Sequence, residues 1–174
     1  MRVSFDSRLK LKFLGSQITT DAGLLAYREL DETLGLTEMA PAALEDSRLG
    51  SNKQHQLVPL LRQSIYSRLA GYEDVNDAQR LSVDPAMRHV VGGRAALADK
   101  YAASTSEVGR FETDILSTKE NLTALMNLSG EWIDKVHRRQ PPKELILDLD
   151  SSVSETYGSQ EGTAYNGVKG GQKA

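Results

Sequence analysis

The sequence predicts a mainly α-helical protein with a short N-terminal β element, followed by the first strand of an incomplete α/β core. Three observations support this fold class. Apolar and basic residues alternate at the N-terminus, apolar residues then recur every three or four positions, and a nearly continuous apolar run follows Pro141-Pro142. We therefore expect a helical region over residues 1–140 and the start of a second domain over residues 141–174.

The composition restricts the class of protein. The 174 residues fit one domain, or one domain and the start of another. Lys and Arg total 21 against 24 Asp and Glu, so with a net charge of −3 any DNA contact must be local. The chain has no Cys, which favours a cytoplasmic protein without disulfides. No apolar run is long enough to span a membrane, so we expect no membrane contact.

The predicted β element covers residues 3–13. Its apolar residues fall on one face of a strand, and its basic residues Arg8, Lys10 and Lys12 fall on the other. Two interpretations remain open for this basic face. The cations protect the edge of a sheet from further pairing, or they contact the DNA backbone.

The first predicted helices differ in how clearly their ends are marked. One begins at Thr20 or Asp21, which can cap it, and ends at Gly35. Residues 39–51 are predicted to form a loop. A helix over residues 55–70 follows, with a proline in its first turn.

Shorter helices are predicted next, starting near Asp74 or Asn76, at Asp84-Pro85, and over residues 95–102. Arginines recur through this part of the chain and either form a basic surface or are scattered and solvated. They are Arg62, Arg68, Arg80, Arg88 and Arg94.

Two capping boxes mark the last predicted helices. Ser104 and Glu107 open a short helix. With Arg110, this helix resembles the recognition helix of a DNA-binding helix-turn-helix. Ser117 and Glu120 open a long amphipathic helix, whose apolar stripe we expect to lie in the core.

The apolar run over residues 145–149 is typical of a central strand and contains the first of two acidic residues. On a strand, Asp148 and Asp150 point to the same side. Two interpretations remain open: the pair binds a divalent cation such as Mg²⁺, or both carboxylates are simply solvated where the strand reaches the surface.

Two families share this pattern. The stretch LDLDSSV resembles the first motif of haloacid-dehalogenase-type phosphatases, in which Asp148 would be the nucleophile and Asp150 the acid/base. The longer LDLDSSVSETYGSQEGTAYNG resembles the first catalytic-strand segment of DDE transposases from bacterial insertion sequences, of the IS4-like group. RLAGYEDVNDAQRLSVDPAMRHVVG and TSEVGRFET are similar to the helical region that precedes the core in that group.

The transposase resemblance implies an RNase H-like core, Mg²⁺ as cofactor and the double-stranded DNA of insertion-sequence ends as partner. By this resemblance, Asp150 is the first catalytic carboxylate and metal ligand, with Asp148 as the second candidate ligand. The basic face of the N-terminal strand and the short capped helix supply the candidate DNA contacts, Arg8, Lys10, Lys12 and Arg110. The family pattern breaks off after Gly167. We therefore expect a truncated, inactive fragment that binds DNA, as a homo-oligomer or with a full-length relative, or a regulatory module that inhibits such a relative.

Overall fold

The structure is a computed structural model that describes residues 4–6, 9, 21–48 and 53–148. The chain divides into two compact units, Met1–Pro141 and Pro142–Ala174. The described part of the first unit is built from helices. These are α1 (Leu24–Leu34), α2 (Leu36–Ala43), α3 (Leu57–Leu69), α4 (Ala78–Leu81), α5 (Pro85–Val91), α6 (Thr105–Arg110) and α7 (Lys119–Arg139). Two 3₁₀ turns, Val75–Asp77 and Gly93–Ala96, and one π-helical turn, Phe111–Leu116, connect them.

The predicted β content is wrong, because no strand occurs among the described residues. At the N-terminus, Ser4 donates to Glu29 and the Leu9 amide donates to the Asp6 carbonyl at 3.1 Å, which closes a turn. The rest of the predicted element lies outside the described residues. A strand needs a partner for its backbone groups. No described residue pairs with residues 144–148, so the first strand of an RNase H-like core is not seen there either.

The first predicted helix is confirmed, but its N-terminal cap is not. Gly35 ends α1 in the left-handed conformation, with φ of 72°, as a residue without Cβ readily does. Asp21 is nearly buried, and its carboxylate accepts a hydrogen bond from the Tyr72 hydroxyl at 3.2 Å instead of capping the helix.

Helix α2 corrects the loop predicted from residue 39. Leu36, Met39, Ala40 and Ala43 recur at the spacing of one helix face, and Ala40 is completely buried. Pro41 removes one backbone donor within this helix. Packing of the apolar face against α3 and α7 offsets that loss.

Helix α3 contributes to both hydrophobic cores. Leu60 and Leu61 lie in a core with α2, α6 and α7, whereas Tyr66 lies in a second core with α1, α4 and α5. Pro59 falls in the first turn of α3, as predicted. The helix is therefore buried on more than one side, which explains why it carries the buried polar residues Gln63 and Ser64.

The starts of α5 and α6 follow the sequence signals, but the helix predicted over residues 95–102 does not form. Asp84 accepts from the Met87 amide at 2.8 Å, and Ser104 donates to Glu107 in the predicted capping box. Only the 3₁₀ turn Gly93–Ala96 forms where the extra helix was expected. Leu97 is extended, and Asp99 has a φ of 56°, which is incompatible with a right-handed helix.

Helix α7 has the predicted length and C-terminal cations, yet its apolar stripe is only partly buried. Thr118, not Ser117, caps it by accepting from the Asn121 amide. Leu128 is buried, whereas Leu122, Met126 and Ile133 are exposed. The expectation that the whole stripe lies in the core is therefore wrong.

Candidate nucleic-acid interface

The predicted catalytic residues do not form a complete site in the described part of the chain. Asp148 is exposed and lies in a stretch without regular structure, and Asp150 is outside the described residues. Among residues 4–6, 9, 21–48 and 53–148, no three acidic or histidine side chains are placed to hold a metal ion. The single carboxylate of Asp148 offers the oxygen that Mg²⁺ prefers, but these residues alone do not fit a magnesium site.

Of the predicted DNA contacts, Arg8, Lys10 and Lys12 lie outside the described residues. Arg110 is exposed at the end of α6, and its guanidinium forms no ion pair with a described residue. Helix α6 continues directly into the π-helical turn, so it is not a short helix that stands alone after a tight turn. Arg110 therefore remains a predicted DNA contact, but the helix that carries it does not have the geometry of a helix-turn-helix.

Three of the five recurring arginines hold the fold together. Arg68 Nη1 lies 2.7 Å from Glu112 Oε1, and this pairing outweighs partial burial and raises the pKa of Arg68. Arg88 donates to the carbonyls of Ala95 and Leu97. Arg62 donates from Nε to Thr37. Arg94, in contrast, is exposed and forms no ion pair with a described residue.

Arg94 lies on the wall of a polar groove of about 310 Å³, which we call the Arg94 groove. Lys100 and Tyr101 are exposed along the same groove. Amide, hydroxyl and imidazole groups line the rest of it, together with two acids. These residues are Gln54, His55, Gln79, Ser82, Asp99, Ser104 and Glu107.

The loop that carries Arg94 and Lys100 is held in place at both ends. After α5, Gly92 and Gly93 turn the chain with φ of 75° and 57°, values that favour glycine. Arg88 then bonds the carbonyls of Ala95 and Leu97 at 3.0 and 2.6 Å. At the other end, the side chain of Gln63 makes two hydrogen bonds of 2.8 Å with the backbone of Ala103. The cations therefore extend from a fixed backbone.

The floor of the groove includes His55, which is almost fully buried. Its Nε2 lies 4.0 Å from Glu107 Oε1, a contact that favours the charged imidazole. Burial has the larger effect, and with the positive charges of Arg94 and Arg48 it lowers the pKa of His55 below its usual value. His55 is thus neutral near physiological pH, so the cations that line the groove are Arg94 and Lys100, beside the acids Asp99 and Glu107.

This set of side chains suits a polynucleotide. Arg and Lys bind phosphate oxygens, amides and hydroxyls hydrogen-bond to sugars and bases, and an exposed tyrosine offers a face for stacking. Sequence reasoning missed Lys100 and Tyr101 because it predicted a helix there. The signal available was the pair of glycines before Arg94, which marks a turn that exposes its side chains.

In the described parts of the chain, no helix combines the length and the hydropathy needed to cross a membrane. The family model described as transposase DDE domain, group 1, matches residues 1–172. No curated protein and no solved structure matches the chain. The family match favours the transposase resemblance over the phosphatase resemblance. Because it takes in almost the whole chain, the protein belongs to the DDE transposase family.

Proposed function

We propose that this transposase-family chain binds the double-stranded DNA ends of a bacterial insertion sequence of the IS4-like group, with the Arg94 groove as a contact surface. The observation that supports this most strongly is the family match over residues 1–172, since transposases act on DNA. A groove with two cations that pair with no described acid gives that activity a local binding surface. Arg110 is proposed as a further contact because its guanidinium is also exposed and unpaired among the described residues.

Local binding agrees with the charge of the chain. Its net charge is −3, so the protein as a whole repels DNA weakly. Affinity must then come from a few cations that reach phosphates directly, because the attraction between such groups is short-ranged in salt. Arg94 and Lys100 meet that requirement, whereas Arg68 and Arg88 are bonded to protein groups.

For catalysis, we propose Asp150 as the first of the three carboxylates, with Asp148 as a second candidate ligand for Mg²⁺. The family generally uses divalent metal ions. Its resemblance assigns only the first carboxylate to these 174 residues. A polypeptide limited to these residues should therefore bind DNA without cutting it. We place this binding in the cytoplasm, as the composition without Cys favours.

The binding proposal is tested by fluorescence anisotropy of a labelled DNA duplex at low salt. The variant Arg94→Gln/Lys100→Gln should bind at least about tenfold more weakly than the wild type, since it loses two phosphate contacts. The variant Arg138→Gln/Arg139→Gln removes the same charge from the C-terminal turn of α7 and should bind like the wild type. Equal weakening by both variants would mean that total charge, not the groove, determines affinity.

The catalytic proposal needs a separate assay. The polypeptide is incubated with a labelled duplex and Mg²⁺, and the strands are separated on a denaturing gel. No cleavage is expected from the wild type or from Asp150→Asn. Cleavage by the wild type that Asp150→Asn abolishes would contradict the proposed inactivity while supporting the role of Asp150.

A further inference from the structure

Another cavity, of about 440 Å³, is lined in part by the turn that carries Arg94. We call it the Arg28 cavity. Arg28, Arg62 and His89 line it with nitrogen-bearing side chains, and Asp6 lines it with a carboxylate. Phe5 forms part of its wall, and Gly92 and Gly93 contribute bare backbone. The volume is large enough for a phosphate group with part of the attached sugar.

The burial of Arg28 with unpaired donor atoms is the feature of this cavity that packing alone does not explain. Only 5% of the residue is exposed, yet its Nε and Nη1 have no hydrogen-bond partner within the described residues. Nη1 lies 2.7 Å from Glu32 Oε2, as an ion pair without the alignment of a hydrogen bond. The guanidinium also lies over the Phe5 ring, 4.7 Å from its centroid. A buried guanidinium with unused donors is costly unless a ligand accepts from them.

Arg62 contributes the second guanidinium. Its Nε donates a hydrogen bond to the Thr37 hydroxyl. A Cβ added to Gly92 would lie 3.6 Å from its Nη1, so that nitrogen lies against the glycine turn. Burial lowers the pKa of Arg62, and the neighbouring positive charge of Arg28 adds to the effect. A bound anion between the two guanidinium groups would relieve this repulsion.

Three acids lie at or near the cavity, and each lies close to one of its nitrogen-bearing side chains. Asp31 accepts from the Thr37 amide and from the Tyr66 hydroxyl, and it lies 3.5 Å from Arg28 Nη1. Glu32 pairs with Arg28, and Asp6 lies 3.6 Å from His89 Nδ1. These acids balance the arginines, but they do not saturate the donors of Arg28 and Arg62.

We propose that the Arg28 cavity binds an internal phosphodiester group of the DNA strand that also contacts the Arg94 groove. This inference rests on the proposed DNA-binding function, because it is DNA that would bring a phosphate to this place. The turn Gly93–Ala96 lines the Arg28 cavity through Gly93 and Ala96 and the Arg94 groove through Arg94. One strand crossing this turn can therefore reach both.

The test places a charge at the rim without changing the arginines. Ala96 is partly buried and lines the cavity, so Ala96→Glu adds a carboxylate there and Ala96→Gln adds a side chain of the same size without charge. Binding of a 5′-hydroxyl DNA duplex is measured by anisotropy, and the fold of each variant is checked by circular dichroism. Ala96→Glu should bind about tenfold more weakly than Ala96→Gln. Ala96→Lys should bind more tightly than Ala96→Gln, which keeps the test decisive even if the Glu variant does not fold.

Three outcomes would overturn the inference. Equal affinities of the Glu, Gln and Lys variants, with DNA still bound by the wild type, would rule out the cavity as a DNA contact. The proposed function would be unaffected. An effect seen only with a 5′-phosphorylated duplex would make the ligand a terminal phosphate. Broadening of the ³¹P signal of inorganic phosphate by the wild type, in the absence of any DNA binding, would make it free phosphate and would also remove the proposed function.

Discussion

At the scale of single residues, Asp31 is the acid on which the buried charges depend most. Its side chain is 8% exposed, and it lies within 3.7 Å of both Arg28 and Arg62. Asp31→Asn would leave two buried guanidinium groups with less compensation, so we expect a loss of about 3 kcal/mol in the free energy of unfolding. Urea denaturation measures it. Asp134→Asn makes the same chemical change at an exposed site of α7 and should change stability little.

Asp46 provides a second residue-scale prediction, concerning pH. Hydrogen bonds from Arg48, supported by Lys53 and opposed by partial burial, hold the pKa of Asp46 far below its usual range. Because the unfolded chain has the higher pKa, about 3.9, this pairing stabilises the fold above that pH and the stabilisation is lost as the pH falls towards the folded-state pKa.

The variant Asp46→Asn should therefore lower the free energy of unfolding by about 1 kcal/mol at about pH 7, and by less at about pH 3. Urea denaturation of both proteins at the two pH values gives this difference. A deficit that stays constant with pH would show that Asp46 acts through packing and not through its charge.

At the scale of elements, two glycines differ in backbone conformation, so replacing each by Ala should have opposite effects on stability. Gly35 has a φ of 72°, and a Cβ there would also meet Lys135 Nζ, so Gly35→Ala should destabilise the protein by about 1 kcal/mol. Gly130 lies within α7 with nothing within 4 Å of an added Cβ, so Gly130→Ala should stabilise it by about 0.8 kcal/mol. Thermal unfolding of the two variants measures these changes. Shifts of the melting temperature in the same direction would contradict the roles given to the two glycines.

Gln63 connects two elements that are far apart in sequence, α3 and the end of the loop that carries Arg94. The variant Gln63→Met keeps the length of the side chain but leaves the buried N–H and C=O of Ala103 without partners, which should cost about 3 kcal/mol. Exposed Gln79→Met is the matched control for stability. The loop should also exchange its amide hydrogens faster in Gln63→Met, and unchanged exchange would contradict this role.

Sequence reasoning predicted the elements whose signals are local. Asp84-Pro85 and Ser104 with Glu107 mark α5 and α6 because a cap depends only on neighbouring residues. Helix α2 was missed because Pro41 suggested a loop, whereas packing against α3 and α7 decides. The strand predicted over residues 145–149 depends on partners that no local pattern supplies, and Leu145 to Leu147 are instead exposed in the described structure.

At the scale of the whole molecule, the candidate site could be predicted only in part. The resemblance on which Asp150 depends identified the family, which the match over residues 1–172 supports. The Arg94 groove could not be found in this way, because it joins Gln54, Gln79 and Lys100 from three separate segments. Such a surface exists only after the cores formed around α3 bring those segments together.

The acidic character of the whole chain makes the salt dependence of DNA binding informative. Each phosphate that a protein cation neutralises releases counterions, so the slope of log affinity against log salt counts direct contacts, at about 0.9 per contact, whatever the net charge. If Arg94 and Lys100 each reach a phosphate, Arg94→Gln/Lys100→Gln should reduce the slope by about 2. The matched variant Arg138→Gln/Arg139→Gln has the same net charge of −5, two below −3, and should keep the wild-type slope. Titrations at several salt concentrations measure both slopes, and an equal reduction in the two variants would show that DNA responds to the overall charge and not to the groove.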